Sequence, residues 1–282
     1  MRTHYPIAAV GTPLVVRTAC WQTGPMPLTA LITGASTGLG AEFARQLAAA
    51  GVDLVLVARD RERLEILASE LRDRHGIDAS ALPADLTRAP DLERVAGRLS
   101  ARDRPVDILV NNAGFGVANG FETSELDDER RLHELLSWVP LHLSHAAVPG
   151  MLDRGYGWIL NVASVAAFTP TGTYGAAKAA IVSLSRSLNA RYRRRGVRVT
   201  ALCPGLLDTE FHARMGEDHL PRLPRIAWAS TARVAQEGLS AVRRGRSVVI
   251  SDWRYRLLAP LTHVLPDRVL ERASTTNDGA LN

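Results

Sequence analysis

From Leu28 onward, short continuous apolar runs alternate with longer stretches in which apolar residues recur every three to four positions. The runs at 30–33, 53–58, 79–84, 107–110, 158–162, 197–202 and 247–250 predict strands. The periodic stretches at 39–50, 62–75, 91–102, 125–152, 174–195 and 229–244 predict helices. Strands that are apolar throughout, rather than alternating, predict a parallel sheet covered on both faces. Strand–helix alternation then implies right-handed crossovers and a ligand crevice outside the carboxyl ends of the strands. Gly51, Gly76 and Gly196 sit where helices should end in the left-handed region.

The first 27 residues break this pattern. They hold Pro6, Pro13, Pro25 and Pro27 and keep no helical or strand period, which predicts a disordered extension with Met26 as an alternative start. They lack the charged, apolar and small-residue succession of a signal peptide. The expected organisation is an extension over 1–27, one α/β domain over 28–252, and a helical segment with a flexible tail over 253–282.

Composition narrows the function classes. With 46% hydrophobic and 22% charged residues in 282, the chain reads as globular rather than disordered or collagen-like. No apolar run reaches the ~18 residues of a membrane span. Two cysteines, Cys20 and Cys203, cannot build a disulfide framework, and the eight histidines show no metal-ligand spacing. A cytoplasmic protein with no metal site is expected. The net charge of +5 invites a nucleic-acid reading at Arg191, Arg193, Arg194 and Arg195, but cations closing a helix complement its dipole, and no nucleic-acid partner is expected. The stretch 253–261 is basic and aromatic; Pro260 and Pro266 break it, so packing or a subunit contact is expected there rather than a membrane.

Of the 34 cationic side chains, all but Lys178 are Arg. Either this is codon bias with one exception, or position 178 needs a compact ammonium. Tyr174 stands four residues earlier, on the same helical face. A phenol titrates near pH ~10, and a cation within about 4–6 Å favours phenolate. The spacing therefore predicts a general acid/base at Tyr174 with a pKa lowered by Lys178. Ser164, at the end of the fifth strand, is placed to donate a hydrogen bond to a substrate oxygen or, alternatively, to cap a turn.

The first strand runs into Thr33-Gly34-Ala35-Ser36-Thr37-Gly38-Leu39-Gly40 and then a helix. Glycines at 34, 38 and 40 permit a tight turn, close backbone approach and close helix packing, and the helix N-terminus presents free N–H groups to a pyrophosphate. At the end of the second strand, where an acid would select NAD, the chain has Ala58 and then Arg59, while Asp60 falls where it would cap the next helix. NADP(H) is therefore preferred, NAD(H) being possible if Arg59 is only a solvated charge.

Taken together, residues 28 to about 250 resemble the short-chain dehydrogenase/reductase family. The features that carry the resemblance are Thr33 to Gly40, Asp85 in Ala84-Asp85-Leu86, Asn111-Asn112-Ala113-Gly114, Ser164, Tyr174 with Lys178, and Pro204-Gly205 leading to Thr209. The resemblance implies a doubly wound Rossmann-type sheet of about seven mainly parallel strands in a single domain. It implies hydride transfer between NAD(P)(H) and a carbonyl/alcohol pair, with Ser164, Tyr174 and Lys178 as catalytic residues. The implied cofactor site comprises Gly34, Ser36, Thr37, Gly38, Leu39, Gly40, Arg59, Asp85, Leu86, Asn112, Ala113, Gly114, Tyr174, Lys178, Pro204, Gly205 and Thr209. Asn111 would pin neighbouring strands, and a homodimer or homotetramer is implied.

Two departures stand out. The place of the family's further catalytic Asn, which anchors a proton-relay water, falls near Leu136, so that either Ser137 or His133 compensates or the relay is rerouted. Only nine residues separate Ser164 from Tyr174, so 168–173 must form a tight loop. A lid over 206–228 mixes apolar and charged residues and suggests an apolar or amphipathic small-molecule substrate. The competing readings are a catalytically weak or silent NADP(H)-binding scaffold, and a sugar-nucleotide epimerase or dehydratase relative, which would need a larger C-terminal domain.

Overall fold

The computed structural model describes residues 28–115, 121–207 and 229–251. The expectations for 1–27, for Thr209 and nearly all of the lid, and for 253–282 lie outside these residues. Seven strands form one parallel sheet: β1 (Thr29–Thr33), β2 (Asp53–Ala58), β3 (Ala79–Pro83), β4 (Ile108–Asn111), β5 (Gly157–Val162), β6 (Val197–Cys203) and β7 (Val248–Ile250). Their spatial order is β3-β2-β1-β4-β5-β6-β7. The order reverses between β1 and β4, which opens a crevice at their carboxyl ends.

Helices cover both faces, as the continuous apolar strands require. α1 (Gly38–Ala49), α2 (Arg61–His75) and, late in the chain, α7 (Thr231–Arg243) bury Phe43, Leu47, Leu64, Leu71 and Leu239 against one face. α3 (Ala89–Ser100) and α5 (Val139–Arg154) bury Val95, Leu99, Leu143 and Met151 against the other, where Leu188 of α6 (Gly172–Tyr192) joins them. Inside this apolar packing runs one polar chain. Asn111 Nδ2 donates to Asn161 Oδ1 at 2.8 Å, and Asn161 Nδ2 donates to Ser185 Oγ at 2.9 Å. These buried amides tie β4, β5 and α6 together, and Asn111 thus pins strands.

The helix expected over 125–152 is not continuous. It divides into α4 (Leu126–His133), a π-turn (Glu134–Trp138) and α5. Pro140 is the reason. In an unbroken α-helix it has no N–H for the carbonyl of Leu136, four residues back, and its ring would clash there. Widening the preceding turn relieves both. The helix expected from 174 starts earlier, at Gly172, and its last residues tighten into a 3₁₀ turn, Arg193–Arg195.

Candidate active site

A cavity of about 650 Å³ lies along the carboxyl edge of the sheet. Its floor starts at the Gly-rich turn after β1. Gly34 has φ +65°, and a Cβ on Gly40 would stand 2.1 Å from the Gly34 carbonyl oxygen, so helix and turn touch through glycine alone. Gly40 thus lies beneath the turn, whereas Gly34, Ser36, Thr37, Gly38 and Leu39 line the cavity. Thr37 caps α1 without a side-chain hydrogen bond, which leaves the first-turn N–H groups to an anion.

Thr33 fastens this turn to β4. Its Oγ1 accepts from Asn112 N at 2.9 Å and Ala113 N at 3.1 Å. Asn112 Nδ2 donates back to the carbonyls of Thr33 and Gly34 at 3.0 and 3.2 Å. The Asn112 side chain therefore braces the turn while Ala113 and Gly114 complete the wall. Asp85 is similarly self-contained: its Oδ1 accepts from Thr87 N at 3.1 Å and Thr87 Oγ1 at 2.8 Å, and it lines the cavity with the buried Leu86.

At one end of the cavity stand Arg59 and Arg63. Asp60 caps α2 through the Arg63 N–H at 3.0 Å and pairs with the Arg63 guanidinium at 3.4 Å. The expected cap is thus present, and it carries a second arginine that the sequence reading did not single out. Its signal was available: Arg63 is the third residue of a helix whose cap follows Arg59.

Ser164, Tyr174 and Lys178 meet at the other end. The short connection from Ser164 winds as a 3₁₀ turn (Val165–Phe168) and α6 begins at Gly172, so nine intervening residues suffice. Ser164 Oγ accepts from Ala166 N at 3.2 Å and hydrogen-bonds the Tyr174 phenol. Lys178 is buried, 5.7 Å from the Tyr174 ring centroid, and donates to the Val162 carbonyl at 2.9 Å. That carbonyl, a backbone group at the end of β5, is a site component no residue-type pattern announces. Cys203 lies alongside; its thiol accepts from the Ser164 N–H.

The electrostatic expectation for this pair needs correction. Burial pushes the Tyr174 phenol up to about 12, and the Ser164 hydroxyl opposes this only in part. Burial also pulls the Lys178 ammonium down to about 8. Both groups lie in one poorly solvated environment, which disfavours each charged form. Proximity is as predicted, but the predicted lowering of the phenol is not what this site shows. Nor do His133 and Ser137 stand in for Asn at Leu136. Both line a separate outer groove between the π-turn and α6, and Ser137 Oγ donates to the Ala177 carbonyl at 3.3 Å. Phe115, Leu135 and Leu207 add apolar lining. Leu207 bridges Ala229, which draws together the ends flanking 208–228.

Pro204 and Gly205 close the cavity beside Ser164. Among the described residues no group of three or more His, Cys, Asp or Glu could hold a metal, and no helix is long and apolar enough to cross a membrane. The short chain dehydrogenase family model matches residues 28–220. The chain belongs to the short-chain dehydrogenase family.

Within it, this dehydrogenase is 32% identical over 222 residues to the 1-deoxy-11-beta-hydroxypentalenate dehydrogenase of Streptomyces avermitilis, covering 77% of this chain and 80% of that protein. Among solved structures it is similar to a short-chain dehydrogenase from Sphingobium yanoikuyae in complex with NADPH. That match has a TM-score of 0.77 and 36% identity, over 84% of this chain and 94% of the other. It is also similar to the bulky-bulky ketone specific alcohol dehydrogenase from Comamonas testosteroni, with a TM-score of 0.72 and 31% identity over 91% and 94% of the two chains.

Proposed function

We propose that this short-chain dehydrogenase binds NADP(H) in the 650 Å³ cavity and interconverts a carbonyl and a secondary alcohol. The observation that carries this reading is the convergence of Ser164, Tyr174 and Lys178 at one end of a cavity whose other end holds Arg59 and Arg63. The donor set fits a phosphorylated dinucleotide. The first-turn N–H groups of α1 suit a pyrophosphate, and the two guanidinium groups suit a 2′-phosphate. The NADPH complex of the Sphingobium relative supports the same choice.

The cofactor supplies or accepts the hydride. Everything else falls to the chain. Ser164 orients the substrate oxygen, Tyr174 Oη exchanges the proton with it, and Lys178, fixed by the Val162 carbonyl, holds its ammonium at the cavity wall. Apolar lining from Phe115, Leu135 and Leu207 suits an apolar or amphipathic substrate. A homo-oligomer in the cytoplasm is the form we expect.

Tyr174→Phe tests the reading. NADPH affinity should hold, and turnover of an accepted ketone should fall by about 10²–10⁴-fold, the usual worth of acid–base catalysis. Turnover at the wild-type rate would exclude this mechanism. Tight NADPH binding by a wild-type protein that consumes none across a panel of ketones and aldehydes would favour the silent scaffold instead.

A further inference from the structure

Behind Tyr174 lies an apolar cluster to which the π-turn contributes Leu136. Leu136 is 1% exposed and packs with Leu132 of α4 and Ala177 of α6, while Phe115 and Tyr174 close the cluster. A Cβ on Gly114 would stand 3.0 Å from Leu136 Cδ2 and 4.0 Å from Lys178 Nζ. Leu136 is not among the residues that line the cavity, whereas its neighbour Leu135 is.

Among the described residues, several elements bring polar groups near the phenol. Past the end of β5 there is Ser164, which hydrogen-bonds it. On α6 there is Lys178, 5.7 Å from the ring centroid and engaged by the Val162 carbonyl. On α4 there is Glu129, a carboxylate that accepts from the Thr173 hydroxyl, one residue before Tyr174. At the end of β6 the neutral thiol of Cys203 lies near Lys178. The π-turn contributes only Leu136 to this cluster, because Glu134, Ser137 and Trp138 line the outer groove and Leu135 faces the cavity.

A phenolate is stabilised by donors, cations or water. Leucine offers none of these, and Leu136 packs against Tyr174 in an apolar cluster. We propose that Leu136 is a positioning residue that holds Tyr174 in its protonated form and thereby biases the site toward carbonyl reduction at neutral pH. This rests on the function proposed above. In the reducing direction a bound reduced nicotinamide dinucleotide would supply the hydride for the new C–H bond as the carbonyl π-bond breaks. The O–H bond of Tyr174 then breaks to give the oxygen its proton, and the phenolate left behind is reprotonated from Lys178 or from water once the cavity empties. Alcohol oxidation needs the phenolate at the outset, so its rate should climb with pH while reduction stays level.

The test needs no turnover. Phenolate absorbance of the cofactor-free protein is read within milliseconds of a pH jump, before the fold is lost, and the Tyr174→Phe signal is subtracted to isolate Tyr174. We expect a Tyr174 midpoint above the ordinary phenol value of ~10 in the wild type, and the same midpoint in Leu136→Met, which conserves volume and apolarity. In Leu136→Asn the midpoint should drop by about one unit or more, since an amide donor and water then reach the ring. A wild-type midpoint at or below the ordinary value overturns the inference whether or not the Asn variant folds, as does an unchanged midpoint in a folded Asn variant. Wild-type turnover by Tyr174→Phe overturns the proposed chemistry and this inference with it, whereas the titration outcomes bear on the inference alone.

Discussion

The arginine pair at one end of the cavity allows a quantitative test of cofactor choice. Arg59 is exposed, and Arg63 is half-exposed and paired with Asp60 at 3.4 Å. A hydrogen bond to a charged group contributes about 1.5–3 kcal/mol. Solvent and the competing Asp60 carboxylate place each arginine at or just below the lower end, near ~1.4 kcal/mol, or about tenfold in affinity. Arg59→Ser should therefore weaken NADPH about tenfold, and the double variant Arg59→Ser, Arg63→Ser about a hundredfold if the two act independently. NADH, which lacks the 2′-phosphate, should bind as before. Removing Arg63 also frees Asp60, which then repels the phosphate and is available to a ribose hydroxyl, so the double variant should change its preference. Fluorescence titration of both dinucleotides at one fixed ionic strength reads the ratio directly, because exposed charges are screened by salt. The reasoning fails if the double variant binds NADPH like the wild type, or if NADH affinity falls in parallel. The latter would make these residues supports of the loop rather than readers of the phosphate.

Gly40→Ala should weaken both dinucleotides alike, in contrast to the arginine variants, because its Cβ would collide with the Gly34 carbonyl at 2.1 Å and displace the turn. Overpacking costs about 1–3 kcal/mol, which at this chain length lowers Tm by about 2–4 °C per kcal/mol, and calorimetry with and without NADPH checks both effects. Lys178 should leave a mark on stability against pH: its folded pKa of about 8 lies below the ordinary 10.5, so between these values the unfolded chain binds more protons and stability rises with pH. Denaturant titrations of wild type and Lys178→Met should show the wild type gaining relative to the variant across that window, and a constant difference would refute the assignment.

The sheet was legible because its strands are apolar throughout and its helices keep a 3.6-residue period. All seven strand positions follow from that contrast, with ends displaced by a residue or so. The Gly-rich turn and Asp60 as a cap were legible because glycine and capping requirements are local, whereas Asn111 as a strand pin came from the family resemblance, its partner Asn161 lying 50 residues away. Arg63 and the division of the long central helix were missed for a different reason. Each depends on one residue acting at a distance of three or four positions: Arg63 on the cap at Asp60, and the π-turn on the ring of Pro140. Both signals are in the chain, but neither is a periodicity. The Val162 carbonyl could not be found at all, because a backbone group carries no residue type.

The misjudged electrostatics of Tyr174 and Lys178 follow from the same limit. Spacing of i and i+4 fixes that two side chains are neighbours, and Nζ does lie 5.7 Å from the ring centroid. It does not fix what surrounds them. A cation lowers a phenol only if its attraction outweighs the phenol's own desolvation, and Lys178 keeps one described hydrogen bond, to Val162, inside a wall that includes Leu136 and Gly114. Desolvation then acts on both partners and dominates for each. On the proposed function the pair would therefore act as a proton donor, with the ammonium charged and the phenol neutral near pH 7. On the same reading, its conversion to a proton acceptor would require a bound ligand that offsets the desolvation of one of the two groups. If the proposed function holds, the direction of proton transfer is then set jointly by Leu136, which stands at an unexpected position, and by the contents of the cavity.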